Sequence, residues 1–191
     1  MSNHHIIEEY LNCVYDGFDT SIINFPTAAG AMNFLLKIIA NKSQEKRQQT
    51  LILTRNRISH NHMYDDFCSM MGGASGMNNI NTFYEFENGS TIFFKIYNQV
   101  EHPIFNHSDN VIFFNVDIKR NNKLNLEMLD KIKNYDKKLF INCNIRDGVE
   151  TVIARKLKQD IYEKTYNSDV SDMPLEIRRF KLRKIKEKCH E

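Results

Sequence analysis

Runs of consecutive apolar residues alternate along this chain with segments in which apolar positions recur every three to four residues. The first pattern predicts strands buried on both faces, and the second predicts amphipathic helices. After an amphipathic start over His5 to Tyr15, Ser21 to Phe25 reads as a short strand. Ala31 to Asn41 then places Met32, Leu35, Leu36 and Ile39 on one helical face. The polar NKSQEKRQQ reads as a loop. TLILT predicts a strand, and the helix after it carries Ile58, Met63, Phe67 and Met70 on its apolar face. GGASGMNN disfavours regular structure. Ile80 to Phe86 and Ser90 to Tyr97 flank Asn88-Gly89, a strong hairpin signal. Val111 to Val116 and Lys138 to Ile145 predict buried strands, with a helix over Asn125 to Asn134 between them. Helical patterns over Val149 to Tyr166 and Leu175 to Lys188 follow, separated by a break bearing Ser, Asp and Pro.

This alternation predicts an α/β fold: a mainly parallel sheet flanked by helices on both faces, with an antiparallel hairpin near Asn88-Gly89. The α/β domain is expected over residues 1–170, with a basic C-terminal helix over 171–191. Ligands of such sheets sit beyond the carboxyl ends of the strands. The turn after Phe25 and the strand ends at Thr54, Asn115 and Asn144 should therefore share one rim.

Composition narrows the picture. A chain of 191 residues with thirteen phenylalanines can bury a substantial core, which argues against disorder. The net charge of +2 identifies no partner, but EIRRFKLRKIKEKCHE at the end concentrates the unbalanced positive charge. Cys13, Cys68, Cys143 and Cys189 form no CxxC pair, which favours reduced thiols in an intracellular protein. The opening MSNHHIIEEY is polar and acidic, and no apolar run approaches the roughly 20 residues that span a bilayer. Neither a membrane nor a bound cofactor is expected.

The stretch SIINFPTAAGAMNFLLKIIA has the strand, tight turn and helix of a phosphate-binding loop. In the pattern GxxxxGK[ST] the lysine reaches the phosphates and the hydroxyl holds magnesium. With Gly30 as the second glycine, Phe25 takes the place of the first, and Ala31 and Met32 stand where Lys and Ser/Thr belong. Taken in order, SIINFPTAAGAM, TLILTRNRISHNHMYDDF, FENGSTIFF, VIFFNVD and KLFINCNIRDG resemble the ATPase domain of phage-type terminase large subunits and, more loosely, helicase-type P-loop ATPases. The resemblance spans Ile22 to Leu157. It implies a degenerate nucleotide loop at Thr27, Ala28, Ala29, Gly30, Ala31 and Met32, and a degenerate Walker B strand end at Asn115 and Asp117. An amide at position 115 cannot draw in magnesium as a carboxylate does. With the lysine absent too, the implied role is that of an inactive relative in a DNA-packaging or other viral assembly, with DNA, another polyanion or a protein as candidate partner. It would lie in the cytoplasm or nucleus of an infected cell, or in the virion. The Asn-, Ile- and Lys-rich composition suits an AT-rich viral genome. An active hydrolase using Asp117 and a borrowed lysine is the competing expectation, and Lys37 is poorly placed for it, one helical turn or more beyond the loop.

Basic residues supply the other candidates. Arg55, Arg57 and Arg146 follow buried strands at the expected rim, where arginine's planar fork suits phosphate. The plain alternative pairs Arg55 and Arg57 with Asp65 or Asp66, or leaves them in water. In the terminal helix Arg178, Arg179, Lys181, Arg183 and Lys184 interleave with Phe180, Leu182 and Ile185. This pattern predicts apolar docking with the cations turned to a polyanion, or simply a solvated face. TAAG also fits an ordinary structural turn. His60-Asn61-His62 reads as a helix start with exposed histidines, and His102 and His107 with Asp109 as a polar loop.

Overall fold

Apolar side chains on both faces fix the centre of the sheet. Val111, Ile112 and Phe113 in β6 (Asn110–Phe114) and Leu51, Ile52 and Leu53 in β2 (Gln49–Thr54) are all buried. The computed structural model describes residues 3–25, 28–73, 77–78, 81–97, 108–118, 123–145, 157, 161–165 and 173–188. The remaining strands are β1 (Thr20–Asn24), β3 (Met77–Asn78), β4 (Asn81–Glu85), β5 (Thr91–Ile96), β7 (Asp117–Ile118), β8 (Lys137–Ile141), β9 (Asn144–Ile145) and β10 (Tyr162–Thr165). The helices are α1 (Asn3–Gly17), α2 (Ala28–Glu45), α3 (Arg57–Met71), α4 (Lys123–Ile132) and α5 (Met173–Lys188).

Eight strands form one sheet in the order β10-β1-β8-β6-β2-β5-β4-β3. From β10 to β5 the neighbours are parallel; β4 runs antiparallel to β5, and β3 to β4. The chain steps in one direction from β1 to β2 to β5, and in the other from β6 to β8 to β10. Right-handed crossovers must then place the intervening helices on opposite faces. Accordingly α1, α2, α3 and α5 bury Tyr10, Leu36, Phe67 and Ile177 in one core, whereas Met128, Leu129 and Ile132 of α4 join Leu157 in the other. The expected mainly parallel sheet with helices on both faces is present.

The hairpin does more than reverse the chain. Its loop has Gly89 at φ 78°, with Gly89 N–H bonded to Phe86 O and Phe86 N–H to Ser90 O, each at 2.9 Å. Asn88 Nδ2 and Ser90 Oγ both donate to the Ser43 carbonyl at 2.7 Å, so the loop caps the last turn of α2. This is why α2 runs to Glu45, although NKSQEKRQQ reads as loop: helix-compatible residues gain an external cap and bury Ser43.

Three further expectations are corrected. The buried face of α3 is Met63, Tyr64, Phe67 and Cys68, whereas Ile58 and Met70 are 70% and 41% exposed. Met77–Asn78 pairs with Asn81 and Thr82 as β3 within the glycine-rich connection. Tyr162–Thr165, expected as helix, is a strand parallel to Ser21–Asn24. The Tyr162 ring stacks on Phe18 at 4.5 Å, and its hydroxyl lies 2.8 Å from that of Tyr10.

Buried phenols give the fold a defined alkaline limit. Burial pushes Tyr64 and Tyr135 up to about 12 and also raises Tyr15 and Tyr97. A phenol held neutral in the fold stabilises it fully below the unfolded value near ~10, and this contribution is lost as pH rises through the folded value. Of the eight tyrosines, these four should ionise only together with loss of far-ultraviolet dichroism in an absorbance titration. Ionisation of all of them near pH ~10 with the fold intact would contradict this.

Candidate functional site

The carboxyl ends of the parallel strands lie along one edge of the sheet, in the order β1, β8, β6, β2. Crevices open on such an edge between neighbours whose following helices lie on opposite faces. Here that condition is met between β6 and β2, which α4 and α3 follow, and β1 and β8 are likewise followed by residues buried in opposite cores, Leu36 and Leu157. Both places are closed by bonds within the protein.

At the first, the Phe25 N–H donates to Asn142 Oδ1 at 2.6 Å, and the Asn142 N–H to the Ile23 carbonyl at 2.8 Å. At the second, Arg55 Nη2 lies 3.1 Å from Asp117 Oδ2, with the side chains 56% and 30% exposed. Arg55 thus pairs with Asp117, not with the Asp65 or Asp66 that the sequence offers nearby.

Twin kinks create this arrangement. β6 and β8 each end in an asparagine in the left-handed region, Asn115 at φ 54° and Asn142 at φ 49°. Asparagine is the non-glycine residue that enters this region most readily. Both chains then turn and pair again as the ribbon β7–β9, and the register of Phe114 opposite Ile141 continues as Asp117 opposite Asn144. The sequences FFNVDI and FINCNI carry the device twice. Asn115 therefore has a backbone reason to stand at the end of β6. The kink also means that Asp117 does not continue the strand beyond Asn115, and its carboxylate turns toward β2.

The helix after β1 begins at Ala28. Thr27 lies outside the described residues, and of Ala28, Ala29 and Gly30 the helical backbone is described. Ala31 is buried in the core and Met32 half-buried against it, so neither side chain offers a polar group to a phosphate. Pro26, by its chemistry, has no N–H to give. Among the described residues, a magnesium nucleotide accordingly finds no lysine and no hydroxyl on the first turn of α2, and Asp117, the carboxylate at the β6–β2 crevice, is paired with Arg55. The residues do not fit that group. Lys37, the candidate for a borrowed lysine, bonds Glu8 of α1 at 2.7 Å.

Arg57 is exposed on the first turn of α3, which Asn56 caps through its bond from Ser59 N–H at 2.9 Å. His60 is half-buried, with Nε2 3.2 Å from the Phe94 carbonyl, and His62 is exposed. Further along the rim Lys95 of β5 is buried, and that burial lowers its pKa. Asp109 accepts from the Gln49 N–H at 2.7 Å at the opposite, amino end of the sheet. Arg146, His102 and His107 lie outside the described residues.

The basic helix α5 is not a free-standing cationic rod. Met173 and Ile177 enter the core, and Phe180 packs on Tyr10, Phe18 and Tyr162. Lys181 bonds Glu9 at 2.5 Å, Lys184 faces Asp16 at 3.7 Å, Arg179 bonds Glu176 at 2.8 Å, and the Arg183 guanidinium lies over the Phe18 ring at 5.7 Å. Arg178 is exposed. Leu182 and Ile185, expected to dock the helix, are 50% and 58% exposed.

Sequence reasoning named Arg55, Asn115 and Asp117 but missed Asn142 and Lys95. The repeated Asn-x-(Asp/Asn)-Ile after two buried strands was the available signal for Asn142. Among the described residues Cys13, Cys68 and Cys143 are free thiols, and no helix is long and apolar enough to cross a membrane. No protein-family model matches the chain, and no curated relative matches it.

Proposed function

We propose that this chain is a catalytically inactive relative of terminase- or helicase-type P-loop ATPases, acting as a scaffold or binding subunit in a viral or nucleic-acid-handling complex. The observation that carries the reading is the pair of internal closures on the rim: Phe25 N–H to Asn142, and Arg55 to Asp117. The motifs behind the resemblance fall on parallel strands whose carboxyl ends share one edge, as the family's arrangement requires. Among the described residues, the start of α2 carries no lysine and the Asp117 carboxylate is paired with Arg55. Phosphoryl transfer is accelerated chiefly by positioning and by charge-stabilising groups, so a rim built this way retains the shape of the site without its chemistry.

A direct test is phosphate release from ATP and magnesium by the purified chain, alone and with duplex DNA. No release above the protein-free control is expected in either case. Turnover proportional to protein and abolished by Asp117→Asn would overturn the proposal.

A further inference from the structure

The outward face of α5 carries three of the five large hydrophobic side chains exposed among the described residues: Leu175, Leu182 and Ile185, each at least half exposed. Their spacing of seven and then three residues aligns them as one stripe along the helix. Arg178, Arg179 and Lys186 flank that stripe. The opposite side of the helix is occupied, with Met173, Ile177 and Phe180 in the core and Lys181 and Lys184 facing acids of α1.

We propose that this face docks an acidic amphipathic helix of a partner protein. The charge decides among occupants. Glu176 is engaged by Arg179 and Lys164, which leaves Arg178 and Lys186 as exposed cations beside the apolar seam. A second copy of the chain would bring the exposed Arg178 and Lys186 of one copy against those of the other, and like charges across an interface oppose pairing. Nucleic acid would meet few unengaged cations here, whereas tight binding to the duplex typically uses about six to ten phosphate contacts. An aliphatic stripe with glutamates beside it satisfies both parts of the surface.

Two synthetic helices test this, identical at leucine positions spaced three and four apart and carrying either glutamate or lysine on the flanks. Fluorescence anisotropy with the full chain should show saturable binding of the glutamate helix and none of the lysine helix. The exposed pair Leu182→Ala and Ile185→Ala should weaken binding at least tenfold without changing the melting temperature. Charge reversal at Arg178 and Lys186 should switch the preference to the lysine helix. Equal binding of both helices, binding of neither, or binding indifferent to these variants would overturn the proposal. So would saturable capture of the chain through Leu182 by phosphatidylcholine–phosphatidylserine vesicles, or self-association abolished by the same variants.

Discussion

Phe113→Ala is expected to destabilise the protein by about 3–5 kcal/mol, the usual range for removing a buried aromatic ring. Phe113 is fully buried in β6, its ring parallel to Phe140 of the neighbouring strand at 4.6 Å and edge-on to Tyr97 at 6.2 Å. Alanine removes the apolar burial, leaves a cavity beneath α4, and forfeits both ring contacts. Domains are commonly stable by only about 5–15 kcal/mol, so the variant should lose a large fraction of its margin. Urea unfolding followed by far-ultraviolet dichroism should show the midpoint falling with an unchanged slope. Phe113→Leu, which keeps most of the volume, should lose clearly less. Equal stability of the alanine variant would mean that β6 is not at the centre of the sheet.

The second large effect is expected at the rim. Asn142→Ala should cost about 2–4 kcal/mol, because it removes the acceptor of the Phe25 N–H and places a residue with no local hydrogen bond at φ 49°. The series separates the two causes. Asn142→Gly restores the backbone freedom and loses only the side-chain bond, so it should fall between alanine and the parent protein. Asn142→Asp keeps an acceptor and the same shape and should stay within about 1 kcal/mol of the parent. If alanine and glycine were equally costly, the left-handed backbone would carry none of the effect. The Arg55–Asp117 pair is different. Both side chains are partly exposed, so Arg55→Ala should change stability by no more than about 1 kcal/mol.

How much of this was legible from the sequence depends on where the deciding contact lies. VIFF and LILT could be read as buried strands because their own composition leaves them no solvated face. Asn88-Gly89 could be read because glycine's left-handed preference is local. The strand at Tyr162 could not, since YEKT in isolation alternates no better than it repeats. What makes it a strand is its pairing with Ser21–Asn24 and the aromatic cluster of Phe18, Tyr10 and Phe180, all distant in sequence. The length of α2 was hidden for the same reason, because its cap comes from Asn88 and Ser90.

The site follows the same division. That β1, β2, β6 and β8 would present their carboxyl ends together follows from an all-parallel centre, which the alternation of strands and helices predicted. That Asp117 would meet Arg55 required the kink at Asn115, and no local preference distinguishes a left-handed asparagine from one that merely ends a strand. The terminal helix was legible as amphipathic, but its orientation was not. Leu182 and Ile185 fit an apolar face as well as Ile177 and Phe180 do, and the inward side is set by distant partners: Tyr10, Phe18 and Tyr162 around Phe180, and the acids of α1 opposite Lys181 and Lys184.

The central claim is that the polar groups at the rim's two crevices, Phe25 N–H with Asn142 and Arg55 with Asp117, already bond one another. The most direct measurement follows the backbone amide of Phe25 and the side-chain amide of Asn142 by nitrogen–proton correlation spectroscopy while ATP and magnesium are added to millimolar excess. The account predicts that neither resonance moves and that the Phe25 amide stays protected from exchange. A saturable shift of Phe25 together with Gly30, with the Asn142 side-chain amide released, would contradict it and show the loop opening to take a phosphate.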